Sequence, residues 1–445
     1  MLELGKQLIK QIKDKFNLEG EVFISQSHGT SIEVSEGLCE KFNLFQDHGI
    51  GIRVLKDKKW GLSYTTDMQV DAAALISSAI HNADYNISDE YNLLPTGQPA
   101  GISFEELNIY DESIRQLDAN NKLQMMLRLE KEALAADPQI NKVLAAVYTD
   151  NEFTQTILNT QGVEVHWQET LFSAVLELKA EQDTKVQVGG ESQSRRFFGD
   201  LDFEKLVSKA VFRTVRMLGA KSVPTQKIAV VLDPYVGCEF LAMLAGAVSA
   251  DNIQRKKSPL IGKLNTKIAA DSIQIIDDGC LRRGLGSGPY DDEGVPTQRT
   301  QIVRNGTLEG ILYDGYTAAR DKTVSTGNAS RGSFMGSPGV GVNNFYLEPG
   351  KVSRAELLKS IKQGLYVMEV MGMHTADPIT GDFSVGVSGL WIENGQLTYP
   401  VQGVAMADNI LNVLQNIELV GNDLKFYGNV GSPTIRIREI MVSGS

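Results

Sequence analysis

In residues 2–17 the apolar positions Leu4, Leu8, Ile12 and Phe16 recur every four residues, with Ile9 beside them, and that spacing predicts an amphipathic helix. The period then changes. Runs at 21–27, 31–34, 40–46, 51–55 and 60–65 alternate apolar with polar residues and are mostly separated by glycines, which predicts an antiparallel meander with one buried face. Residues 71–83 return to helical composition, so the first unit reads helix, strands, helix. A polar stretch at 86–112, carrying Pro95, Gly97, Pro99 and Gly101, reads as a linker. A second unit follows in the same order. A helix at 113–136 has Leu123, Leu127 and Leu134 on one side and stops at Asp137-Pro138. Strand-like runs at 143–149 and 153–158 meet a turn at 159–162, a third run covers 163–179, and a helix at 201–218 ends at Gly219 and then Pro224. The order of elements occurs twice without a residue-level repeat, so duplication stays open.

Beyond Lys227 the character changes again. A buried strand at 228–232 leads through Asp233-Pro234 into a helix at 235–250, after which strands and turns dominate. Asn305-Gly306 and Asn394-Gly395 each sit between β-type runs, the signature of a two-residue hairpin turn. A last helix is expected at 353–370. The pattern predicts an α+β chain: an N-terminal α+β domain at 1–85, the linker at 86–112, a central α+β domain at 113–222, and a larger, mostly β C-terminal domain at 223–445. Two helix–antiparallel sheet–helix units thus precede the β domain.

Length agrees with this division, because 445 residues exceed what one core organises. With 42% hydrophobic and 22% charged residues the composition is that of a folded chain. The formal net charge of −12 repels nucleic acid and anionic membrane, so neither is an expected partner. Cys39, Cys238 and Cys280 are widely spaced and odd in number, which excludes a disulfide framework and fits a reducing compartment. The longest clean apolar run, Phe240 to Val248, has nine residues, where a membrane span needs roughly 20. Charged residues interrupt the N-terminus, so no signal peptide is read there, and a cytoplasmic location is expected.

Standard catalytic signatures are missing. The five histidines lie at least 20 residues apart, and neither a Gly-x-Ser-x-Gly elbow nor a phosphate loop occurs. Gly284, Gly286 and Gly288 precede Pro289 instead of a helix, so they read as turns rather than a dinucleotide fingerprint. The basic cluster of Arg255, Lys256, Lys257, Lys263 and Lys267 has no interleaved aromatics and reads as a solvated loop. His374, near Asp377 and Asp382, is either an acid–base group or a hydrogen-bonded loop residue. The densest chemistry lies at 276–332, where Asp291, Asp292 and Glu293 sit between glycine turns. They could bind a divalent cation through oxygen, or cap turns and pair with Arg299 and Arg331; the absence of a nearby histidine or cysteine favours pairing.

These motifs, in their order, resemble the TldD/PmbA family. The residues that carry the resemblance are Asp291-Asp292-Glu293-Gly294 with Thr297-Gln298-Arg299, Asn305-Gly306-x-Leu308-x-Gly310, Thr326-Gly327-Asn328 and Arg331-Gly332. Asn344-x-Tyr346-Leu347-x-Pro349-Gly350, Thr380-Gly381-Asp382-Phe383-Ser384, Glu393-Asn394-Gly395 and Gly421-Asn422-Asp423 add to it. The resemblance implies two related subunits that pair into a cytosolic metallopeptidase acting on unfolded or small peptides. It also implies that the TldD-type subunit carries zinc, through a His-Glu-x-x-x-His helix and a cysteine near its C-terminus.

At the corresponding place this chain reads Leu241-Ala242-Met243-Leu244-Ala245-Gly246, and no cysteine follows Cys280. It is therefore similar to the PmbA (TldE) type subunit, a type linked by name to modulation of DNA gyrase. The expectations are a chain without catalytic residues or metal ligands and without a cofactor of its own, with zinc in a TldD-type partner. A homodimer in isolation stays open. The expected substrate-cleft residues are Asp291, Asp292, Glu293, Arg299, Asn328 and Arg331. The competing expectations are a self-sufficient hydrolase using Asp291, Asp292, Glu293 and His374, and a gyrase-binding regulator.

Overall fold

The computed structural model describes residues 1–97 and 100–444; Pro99 of the expected linker lies outside the described residues. The first six strands are β1 (Glu19–Ser35), β2 (Leu38–Lys56), β3 (Lys59–Thr65), β4 (Ile140–Asn159), β5 (Glu164–Gln182) and β6 (Lys185–Arg195). They form one antiparallel sheet in the order β3-β2-β1-β4-β5-β6, so both N-terminal units contribute to a single surface. The short runs read from the sequence are parts of longer strands, with β1 spanning 17 residues and β4 spanning 20. Gly29 lies between the runs at 21–27 and 31–34. Its missing side chain lets the Asp150 carbonyl of β4 approach closely, and the strand runs through.

Alternation along β1 sorts two environments. Val22, Ile24, Ile32 and Val34 face the helices, while Glu21 and Phe23 point to the opposite side. Helices α1 (Leu2–Asp14) and α2 (Ala72–Asp84) cover one end of the helical face, packing Leu8, Ile12 and Ile76 onto Ile24, Ile50 and Ile52. A one-turn helix, α3 (Phe104–Leu107), precedes α4 (Ala119–Ala136) and α5 (Phe203–Val215). These last two cover the other end with Met126, Leu129 and Leu206 against Tyr148 and Phe172. Sequence reading missed β6, because an edge strand of polar and glycine residues carries no apolar alternation.

The C-terminal part is mostly β. Strand β7 (Gln226–Leu232) lies between Gln363–Met371, its parallel neighbour, and Ile435–Ser443, its antiparallel one. Asp382–Glu393 and Gln396–Asn409 continue the sheet, and pairing of Gln396–Asn409 with Ile435–Ser443 closes it into a barrel. A further six-stranded sheet runs from Thr307–Leu308 to Lys425–Tyr427. Helix α6 (Pro234–Ala247) packs Val236, Phe240, Leu241 and Leu244 into the core shared by the two. Both predicted hairpin turns are present, with positive φ at Asn305 (48°), Gly306 (77°), Asn394 (49°) and Gly395 (79°).

The helix expected at 353–370 is corrected. Only Arg354–Lys359 is helical, capped by Ser353 with Glu356, and Gln363–Met371 is a central barrel strand. Leu365, Tyr366, Val367 and Met368 are all buried, so this strand is apolar on both faces and shows no period to read. Among the described residues no helix is long and apolar enough to cross a membrane.

Candidate functional site

The acidic motif is a tight turn. Asp291 Oδ1 accepts hydrogen bonds from the Glu293 and Val295 amides at 3.0 and 2.9 Å, and Gly294 closes the turn with φ of 80°. Asp291 Oδ2 accepts from the Ala329 amide at 3.0 Å, and Asp292 Oδ2 from the Arg331 amide at 2.6 Å. The turn is thereby stitched to the segment Ala329–Ser330.

Two charged groups of this region, Glu293 and Arg331, then reach the outward face of the N-terminal sheet. Glu21 on β1 and Arg53 on β2 are direct cross-strand partners, joined by two bonds of 3.2 and 3.0 Å. Glu21 also binds the Arg331 guanidinium, and Glu293 lies 3.6 Å from Arg53. Arg53 stacks 4.5 Å from the Trp60 ring and Arg331 4.8 Å from Phe23. Glu21 and Arg331 are each 1% exposed at the side chain, so this is a desolvated network tying the motif to the sheet. Beside it the Phe334 ring packs on Gly49 of β2 and the Phe334 carbonyl on Gly51, where any side chain would collide with them.

Arg299 is not part of the network. It stands opposite Asp278 in the strand register and is half exposed, with bonds to Glu348 at 3.0 Å and a longer contact to Asp278 at 3.8 Å. The expected pairing of the carboxylates with Arg299 is therefore corrected: their cations are Arg331 and Arg53. Asn328 is buried and donates to Asp277 Oδ2 at 2.7 Å and to the Gly341 carbonyl at 3.0 Å. Its own oxygen accepts from Thr326 at 2.7 Å.

A polar cavity of about 250 Å³ opens between the two halves of the chain, with Gln155, Trp167 and Glu169 from β4 and β5 on one wall. Asp291, Asp292 and Asn328 stand on the other. Of the six residues singled out from the sequence, the structure brings these three to one cavity; Glu293 and Arg331 lie behind it and Arg299 lies apart. His374 sits on an exposed turn and does not line it.

Burial raises the Asp277 and Asp292 carboxyls to about 6, and burial with the nearby Glu293 charge raises Asp291 well above the ordinary range. Glu21 behaves oppositely: burial would raise it, but Arg331 and Arg53 more than offset that and hold it low. Such an arrangement can hold protons at a cavity wall and present hydrogen-bonding groups to a bound chain.

Zinc does not fit the residues present. Among the described residues, no three histidine, cysteine, aspartate or glutamate side chains converge as ligands. On α6, Leu241 and Leu244 are buried in the apolar core and Ala242 and Gly246 face outward, so the helix offers no donor atom there. Glu21, Arg53 and Asp277 escaped attention as site residues in the sequence. The available signal was a lone arginine inside the apolar run 50–55, and a glutamate beside Val22 where β1 begins.

With this geometry in view, comparison with known proteins is direct. The chain matches the PmbA/TldA metallopeptidase C-terminal domain over residues 225–444, the central domain over 112–218 and domain 1 over 20–83. An uncharacterized protein of Methanocaldococcus jannaschii is 30% identical over 436 residues, covering 97% of each chain. Metalloprotease PmbA of Escherichia coli O157:H7 is 27% identical over 432 residues, covering 95% of this chain and 92% of its own. Among crystal structures, a candidate modulator of a DNA gyrase from Thermotoga maritima superposes over 100% of both chains with a TM-score of 0.92 and 27% identity. TldE from Thermococcus kodakarensis shares the fold, with a TM-score of 0.90 at 23% identity over 99% of this chain and 100% of its own. The three domain matches, in this order along the chain, define the architecture of a metallopeptidase family. The chain belongs to the PmbA/TldD family.

Proposed function

We propose that this chain is the non-catalytic subunit of a TldD/TldE-type heteromeric metallopeptidase of the cytoplasm. It pairs with a TldD-type zinc subunit and supplies a wall of the cleft that receives unfolded or small peptides. The observation that carries this reading is α6, which follows β7 where the family's metal helix is expected and holds alanine, methionine, leucine and glycine instead of ligands. A zinc site needs two side chains one turn apart and a third closing the tetrahedron, and apolar residues cannot substitute for them. A chain that keeps the family's architecture without those ligands has a role in assembly and in holding substrate, and pairing of relatives about a pseudo-two-fold axis reuses one surface on both.

Peptide hydrolysis by the isolated chain, by the partner and by their mixture tests the reading. Hydrolysis is expected in the mixture, and none from this chain alone, in which elemental analysis should find no stoichiometric zinc. Strong hydrolysis by the isolated chain that survives a chelator overturns it. A self-sufficient hydrolase draws on one observation, the Asp292 carboxyl raised to about 6 at the cavity wall, a value suited to a general acid. A base is not at hand: His374 is elsewhere, burial and the Glu293 charge raise Asp291 while the Glu293, Val295 and Ala329 amides hold it, and Glu293 is engaged by the Gly315 amide at 2.9 Å and by Arg53. Gyrase modulation belongs to the name of a relative, and the net charge of −12 argues against nucleic-acid contact.

A further inference from the structure

A second cleft has a charge opposite to that of the whole molecule. It lies between β6, the edge of the N-terminal sheet, and Lys425–Tyr427, the edge of the six-stranded C-terminal sheet. Its volume is about 500 Å³, and Arg195, Lys205, Lys209 and Lys425 line it. The neighbouring carboxylates are taken by other groups. Glu191 binds Arg213 at 3.4 Å and the Tyr427 hydroxyl at 2.9 Å, and Asp200 binds Arg283 at 2.8 Å. Glu169 binds Arg196 at 3.1 Å, and Asp202 caps α5 through the Lys205 amide at 2.9 Å. Arg196, Arg282 and Arg283 also line the cleft and are held by Glu169, the Glu105 carbonyl and Asp200. Among the described residues, Arg195, Lys205, Lys209 and Lys425 have no carboxylate within 4.0 Å; Arg195 donates to the Ser194 carbonyl, at 2.7 Å.

Lys209, Lys425 and Arg195 are half-buried, so three cations converge where water is scarce. Burial, reinforced by Lys425 and Lys205 against the pull of Glu191, lowers the Lys209 ammonium to about 8. Holding like charges together in a cleft is a cost that Glu191 offsets only in part. An anion entering from outside would offset it.

The shape of the cleft selects among anions. It continues into a cavity of about 420 Å³ that shares Glu191, Ser192 and Tyr427; Val175, Val188, Val370 and Met371 give it apolar wall, and Glu177 and Glu369 stand beside them. A compact phosphate would occupy only a corner of so long a groove. An extended peptide matches both halves. We propose that this cleft binds the carboxylate-bearing end of a peptide, its C-terminal carboxylate with an acidic side chain beside it, with apolar side chains lying in the adjoining cavity. The inference rests on the peptide-holding role proposed above and adds to it a preference for acidic ends.

The test is fluorescence anisotropy of the isolated chain with an N-terminally labelled pentapeptide, Ala-Val-Ala-Ala-Glu. Its control is the same peptide ending in glutamine amide. The acidic peptide is expected to bind at least tenfold more tightly, with the difference shrinking as sodium chloride rises. A Lys209→Gln/Lys425→Gln variant with an unchanged melting temperature should lose that tenfold, and Lys425→Glu should reverse the preference. Equal binding of the two peptides, or wild-type affinity in the double variant, overturns the inference. Displacement of the peptide by inorganic phosphate at equal or lower concentration than unlabelled peptide overturns the peptide assignment in favour of a general anion site. Hydrolysis by the mixture with a TldD-type partner separates the two claims. An active mixture without acidic preference refutes this inference alone, and an inactive one with acidic binding intact refutes the proposed function alone.

Discussion

Glu21→Gln removes one charge from the network under the acidic turn while keeping the side chain's shape. In the native chain Glu21 is 1% exposed and receives two bonds from Arg53, at 3.2 and 3.0 Å, and a further one from Arg331. After the substitution Arg53 retains Glu293 at 3.6 Å, and Arg331 retains the Asp292 carbonyl at 3.0 Å, so two buried guanidiniums share too little negative charge. Breaking one buried pair costs about 3–5 kcal/mol, and the glutamine oxygen restores one neutral hydrogen bond worth about 1 kcal/mol. The expected loss is therefore about 3 kcal/mol, a large part of the 5–15 kcal/mol that holds a typical protein folded.

Urea unfolding followed by Trp167, which stands at the same face of the sheet, reads this loss. Because Glu21 is held below its unfolded value, its contribution is complete above the unfolded pKa and vanishes as pH falls through the lower folded one. The wild-type and variant curves should accordingly converge in acid. Adding Arg331→Met to the variant should recover part of the loss, since it removes one orphaned charge. A loss below about 1 kcal/mol at pH 7, or curves that stay parallel in acid, would refute the view of the network as a desolvated tie.

Arg299→Ala is expected to cost no more than about 0.5 kcal/mol by the same unfolding assay, as its partners Glu348 and Asp278 are engaged at a half-exposed site. Asp277 is raised to about 6 by burial, so the folded chain holds a proton there that the unfolded chain releases near 4. Stability should fall as pH rises from about 4 to 6, by up to about 1.4 kcal/mol per pH unit from this group, and Asp277→Asn should flatten that slope in a pH series of melting curves. Leu244→Ala on α6 removes a fully buried side chain and is expected to cost about 2–5 kcal/mol in chemical denaturation, whereas Ala242→Ser on the exposed side should change stability by less than about 0.5 kcal/mol.

Periodicity made most elements legible. The four-residue spacing of Leu4, Leu8 and Ile12 marked α1, and both Asn-Gly pairs marked hairpins because their backbone demands are local. It failed where burial is two-sided, as at Leu365–Met368, and where an edge strand has little to bury, as in β6. Continuity of the N-terminal sheet was hidden for a different reason: β1 pairs with β4 across more than a hundred residues, and no local pattern records such a partner. The site divided in the same way. Asp291, with its Asx-type bonds to Glu293 and Val295, was visible in the motif, but the identity of the cations was not. Arg299 is nearer in sequence than Arg53, yet register places it opposite Asp278 on another sheet.

The closed barrel also sets an order of events during synthesis. β7 is made early in its domain, but its two neighbours arrive late: Val230 pairs with Leu365 and Ile437, and Ile228 with Ile440, about 200 residues further along. At roughly 5–20 residues per second a ribosome takes about 10–40 s to deliver that last strand. Until Gln363–Met371 emerges, about two-thirds of the way through this interval, Val230, Val231 and Leu232, all fully buried in the finished chain, have no sheet to join. The N-terminal sheet can meanwhile assemble from strands already present. Any lasting exposure of the nascent chain therefore falls on β7 and α6, the segment that a chaperone has most reason to cover.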